Sequence, residues 1–128
     1  GAIGYVELSY ATTNKLAYTA MKNAAGKFVQ PSVQSIQAAG ASADWSKAVD
    51  FSLVVTNAPG EGAWPIAATN FIIMSEKPKN VANAKEAMKF FRWVYTSGDA
   101  SAQQLGYVPL SPELVKRIEA YWATKFKY

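Results

Sequence analysis

The stretch Ile66-Ala-Ala-Thr-Asn-Phe-Ile-Ile-Met74, followed by Lys79-Asn80 and then Val81 to Tyr95, decides how the chain is read. Its apolar end, behind Ala67, Ala68, Thr69 and Asn70, predicts a buried strand running out of a loop. From Val81 the period changes. Val81, Ala84, Met88, Phe91 and Val94 or Tyr95 fall on one helical face, with Asn80 placed to cap and Gly98 placed for a left-handed C-terminal position. This predicts a helix over about 81–97. Asp99 is expected to cap a second helix, about 99–105, closing at Gly106. Tyr107-Val-Pro-Leu110 is extended. Ser111-Pro112-Glu113 then combines a capping hydroxyl, a first-turn proline and an acid near the positive end of the dipole. The third helix, about 112–126, buries Leu114, Ile118, Tyr121, Trp122 and Phe126.

Upstream, Ile3 to Leu8 and Phe51 to Val55 are β-rich runs, and Lys15 to Tyr18 is a further candidate strand. Asn23-Ala-Ala-Gly-Lys27 has the composition of a hairpin turn before Phe28-Val29. Val33, Ile36 and Ala39 or Gly40 recur at helical spacing behind Ser32, a suitable cap. Asp44-Trp45-Ser46 begins a short turn or helix, and Asn57 to Gly62 is a loop. Strands mixed with helices, followed by helices, point to an α/β or α+β class. Two features point beyond an isolated domain. The last 50 residues need a sheet to cover, with one predicted strand beside them, and Gly1-Ala-Ile-Gly-Tyr-Val opens like the start of a buried strand.

Composition narrows the chemistry. Half of the 128 residues are hydrophobic and 17% are charged, as in globular chains. There is no Cys and no His, which removes thiol and imidazole catalysis and zinc sites built on those ligands. The net charge of +4 is uneven, at −1 over residues 1–76 and +5 over 77–128. The basic residues are spread over amphipathic helices without nucleic-acid-binding motifs, so no nucleic-acid partner is expected. No apolar run reaches the 18 or so residues of a membrane span, and the N-terminus carries no signal-peptide pattern.

No catalytic site and no metal site emerges. Gly60 and Gly62 precede Trp64-Pro65 and a predicted strand, whereas a phosphate loop needs GxxxxGK with Ser or Thr, opening a helix. An interlobe or surface loop explains the stretch better. Lys85, Lys89 and Arg92 share a helical face that could dock an acidic partner, though a solvated face is the ordinary explanation, as for Lys116 and Arg117. Trp45, Trp64, Trp93 and Trp122 could line a sugar site. Core positions are the better assignment for Trp93 and Trp122.

A resemblance adds what motifs do not. Gly1-Ala-Ile-Gly-Tyr-Val-Glu7, Asn14-Lys-Leu-Ala-Tyr18, Ala43-Asp-Trp-Ser46, Thr56-Asn57 through Gly60-Glu61 to Ala63-Trp-Pro-Ile66, Thr69-Asn-Phe-Ile-Ile73, Lys89-Phe-Phe-Arg-Trp93, Leu105-Gly-Tyr-Val-Pro-Leu110 and Ser111 to Trp122 resemble, collinearly, the phosphate-binding components of bacterial ABC uptake systems. The resemblance implies the C-terminal part of a type II periplasmic-binding-protein fold, two α/β lobes closing on phosphate. Residues 1–68 would end the second lobe, and 69–128 would add the closing strand and helices of the first. The chain would cross a hinge at Ala67, Ala68, Thr69 and Asn70. The family's phosphate ligands would lie upstream of residue 1, since no Arg-Ser-Asp-Gly-Ser-Gly-Thr-like stretch occurs here, and no phosphate-binding residue is carried over.

The implied role is a non-enzymatic, cofactor-free part of a periplasmic solute-binding protein that captures inorganic phosphate. Its partners would be the membrane subunits of an ABC permease and the missing N-terminal half. The alternative is an interaction or oligomerising module without a ligand, self-associating through exposed sheet edges.

Overall fold

The computed structural model describes residues 1–128. It contains five α-helices, one 3₁₀ turn and a single two-stranded hairpin. Helix α1 (Leu8–Thr13) is followed by strands β1 (Met21–Lys22) and β2 (Phe28–Val29). Then come α2 (Val33–Ala41) and the 3₁₀ turn Trp45–Lys47. Helices α3 (Val81–Ser97), α4 (Asp99–Gln104) and α5 (Pro112–Lys125) complete the chain.

Capping chemistry sets the helix boundaries. Ser32 accepts from the Ser35 amide while Ser35 Oγ accepts from the Ser32 amide, a reciprocal box at the head of α2. Asn80 and Ser111 accept from the amides of Asn83 and Leu114 at the heads of α3 and α5. Asp44 caps the 3₁₀ turn, and its hydrogen bonds from Ser46 and then Lys47 hold its carboxyl below the usual 3.8.

Two terminal assignments are corrected. Gly98 is right-handed (φ −86) and is both the end of α3 and the N-cap of α4, so Asp99 stands in the first turn without a capping bond. Gly98 is small for another reason: a Cβ there would meet the Val94 carbonyl oxygen at 2.6 Å. The left-handed residue is Gly106 (φ 80), where α4 ends.

Three expected strands do not form ladders. Residues 1–7 have no pairing partner, and Leu8 already belongs to α1. Phe51 to Val55 begins with a left-handed Phe51 (φ 61) and turns tightly, the Leu53 amide donating to the Phe51 carbonyl. Ile66 to Met74 is likewise unpaired. The physical reason is common to all three: a strand exists only through its neighbour, and the chain supplies no adjacent strand. The candidate strand at 15–18 is displaced to 21–22, because Lys15 adopts a left-handed turn (φ 53) after α1.

The core is correspondingly small. Ala39, Val55, Ala58, Ala63 and Ala67 form its centre, with Ile36, Trp45 and Trp64 partly buried against it. No large side chain is fully buried, while Ile3, Tyr5 and Ile73 are 94–100% exposed. The accessible surface is 9226 Å². A compact monomer of 13.9 kDa would expose about 6,700 Å². The excess of about 2,500 Å² is surface that an ordinary compact domain would cover.

Candidate functional site

The expected hinge residues lie where the α2-containing segment gives way to the helical one. Up to Ala67 the backbone is pinned. The Asn57 amide donates to the Pro65 carbonyl (2.8 Å), the Trp64 amide to the Ser35 carbonyl (2.9 Å), and Thr56 Oγ1 to the Ala67 carbonyl (3.0 Å). Ala67 is 4% exposed. Beyond it Ala68 and Asn70 are exposed, Thr69 is half-buried, and residues 68–74 make no backbone–backbone hydrogen bond. Order resumes at Ser75 and Glu76, held by the Tyr128 hydroxyl (3.0 Å) and the Lys125 ammonium (3.4 Å).

The loop before the crossing is held by one buried side chain. Asn23, 5% exposed, donates its amide to the carbonyls of Gly60 (3.2 Å), Glu61 (2.8 Å) and Ala63 (3.1 Å). Its own oxygen accepts from the Lys27 amide (3.0 Å). The hairpin and the 57–63 loop are thereby one unit. The loop turns its carbonyls, rather than a nest of amides, toward this point and leads into irregular chain instead of a helix. That arrangement is unsuited to an anion.

Ile66, Ile72 and all four hinge candidates border a groove of about 1840 Å³ together with Tyr5 and Tyr107. Its walls come from both segments. The basic face on α3 is partly neutralised, Lys89 pairing with Glu86 (2.7 Å) and Arg92 with Glu119 of α5 (3.7 Å). Among the tryptophans, Trp45 donates to the Gly40 carbonyl (2.8 Å) and Trp122 packs beside Tyr95. Trp93 is a correction. It is 52% exposed and stacks on Phe90, because the buried side of α3 is the Ala84–Met88–Phe91 stripe. No group of three or more carboxylates is placed to hold a metal ion.

The groove is lined mostly by apolar residues, and the strand-like segments outside the hairpin lack partners. Comparison with known proteins gives these features their context. A phosphate-binding protein PstS of Xylella fastidiosa (strain Temecula1) is 59% identical over 127 residues, 99% of this chain. The chain matches PstS phosphate-binding proteins. Those of Pasteurella multocida and Haemophilus influenzae are 40% and 39% identical over 126 residues, 98% of this chain. The match covers 35%, 37% and 38% of the three PstS proteins, so the chain spans little more than a third of their length, at the C-terminal end. No protein-family model matches the chain. No helix is long and apolar enough to cross a membrane.

Sequence reasoning did not single out Asn23 as a clamp or Arg117 as a bridge between segments. Asn23 was legible only as a turn residue, since its partners lie 37–40 positions away. Arg117, read as a solvated helical charge, donates from Nη2 to the Trp45 carbonyl at 2.7 Å, 72 positions away.

Proposed function

We propose that this chain is the C-terminal portion of a phosphate solute-binding protein, contributing lobe framework and hinge, with the phosphate ligands elsewhere in the polypeptide. Collinear identity to PstS over 99% of the chain carries the reading. The apolar groove and the unpaired strand-like segments support it, since they are the surfaces a covering portion would bury. By this reading the parent has a type II periplasmic-binding-protein fold. Residues 1–68 finish the second lobe, and 69–128 return to the first.

The hinge is Ala67, Ala68, Thr69 and Asn70. The change there from a pinned to an unpinned backbone suits such a role, because hinges are short element-terminal stretches that absorb the backbone rotation. Phosphate would be captured by lobe closure without bond-making chemistry and delivered to the membrane subunits of an ABC permease. Resemblance to the family supports a periplasmic location for this work.

The test is complementation. The chain, co-expressed with the upstream two-thirds of its parent, should co-purify in equal amounts and bind phosphate in phosphate-free buffer. Failure of the two portions to associate would contradict the framework role. Association without phosphate binding would contradict the phosphate assignment. The exposed apolar surface also favours a second reading, self-association through unpaired edges. A chain that is well folded and monomeric at high concentration would exclude that second reading.

A further inference from the structure

Apart from the hinge and the close approach of Gly106 to Ser9, two contacts made by α5 join the segments. Arg117 and Tyr121 lie one turn apart on the same face of α5. Arg117 Nη2 donates to the Trp45 carbonyl at 2.7 Å. The edge of the Phe51 ring meets Tyr121 with centroids 5.6 Å apart and planes at 81°. Trp45 is itself fixed, its indole donating to Gly40 at the end of α2 and its body packed on the small core. Arg117 forms no salt bridge with any carboxylate, unlike Arg92, so its charge is committed to a carbonyl across the segment boundary.

Phe51 is left-handed (φ 61), a conformation a bulky side chain adopts only when its surroundings impose it. The strained residue is the one that touches α5.

We propose that Arg117 and Tyr121 form a latch on the Trp45–Phe51 segment, a second coupling that fixes the angle between the segments joined at residues 67–70. A chain connected through an unpinned stretch alone would sample many angles. A charged hydrogen bond and an aromatic contact, spaced one turn apart along one helix, hold the segments at two points and so restrict that sampling. Arg117 is thus a positioning residue: it acts through the Trp45 carbonyl, by reducing the ordering needed when the lobes close. The proposal rests on the lobe-and-hinge reading above.

The experiment uses the full-length polypeptide carrying this segment, with spin labels at Lys27→Cys and Ala123→Cys, and reads the inter-label distance distribution and phosphate affinity. Arg117→Met, which keeps the stem but removes the donors, and Tyr121→Ala should each replace a narrow distribution by a broad one. Arg117→Met should weaken phosphate binding about tenfold, the scale of one charge-assisted hydrogen bond, and Tyr121→Ala by about fivefold, the scale of an aromatic pair. Tyr121→Phe keeps the ring and should change neither. Unchanged width and affinity in Arg117→Met would overturn the latch, as would a change confined to thermal stability. If the unsubstituted protein does not bind phosphate, the functional reading fails, while the width of the distribution still decides the latch.

Discussion

Asn23 presents one amide group to three carbonyls and has almost no access to water. Removing it leaves buried carbonyls without donors, and an unmade buried hydrogen bond costs more than a made one contributes. Asn23→Ala should therefore lower stability by about 3 kcal/mol in urea unfolding. Asn23→Asp should cost more, since a carboxylate would face the same carbonyls. At Tyr95, burial pushes the phenol above its ordinary 10.0. The folded state then holds its proton to higher pH than the unfolded state, so the contribution to stability is complete below pH 10.0 and falls as pH rises beyond it. Tyr95→Phe should flatten the alkaline limb of a stability–pH profile, and an unaltered limb would contradict the assignment.

At the scale of elements, the caps are the most local determinants. Ser111→Ala should lower stability by about 1 kcal/mol, read as a shift in the urea midpoint, because the Leu114 amide loses its acceptor. Gly106→Ala should do more damage than an ordinary glycine substitution. Its φ of 80 opposes a side chain, and the new Cβ would stand 2.5 Å from the Ser9 Cβ, driving the end of α4 off α1. Thermal unfolding would reveal this, and Ser9→Gly should restore only part of the loss, since the Ser9 backbone also crowds the position.

These same elements show what was readable from the chain. The helices at 81–97 and 112–125 follow from apolar period and capping residues, both local properties, whereas 99–104 forms without the capping bond expected of Asp99. Ile3 to Leu8, Phe51 to Val55 and Ile66 to Met74 have strand-like composition, but strand formation depends on pairing, which local composition does not specify. The Asn23 clamp and the Arg117 bridge were illegible for a related reason: their partners are set by tertiary approach over tens of residues. The unpinned backbone at 68–74 agrees with a hinge at Ala67 to Asn70 without testing it.

At the scale of the molecule, seven of the nine buried hydrophobic residues are alanines. A buried methyl contributes about 0.8 kcal/mol, against roughly 1.5–3 for a large aliphatic or aromatic side chain. The core is therefore weak for 128 residues, and an uncovered surface of about 2,500 Å² exceeds what one partner buries in a standard interface. Under the proposed framework role, the rest of a solute-binding protein covers this surface and carries the phosphate ligands. The most direct test is a calorimetric titration of this chain with inorganic phosphate in rigorously phosphate-free buffer. With the phosphate ligands outside residues 1–128, no binding heat is expected. Micromolar or tighter binding would contradict that placement, showing that residues 1–128 build an anion site of their own.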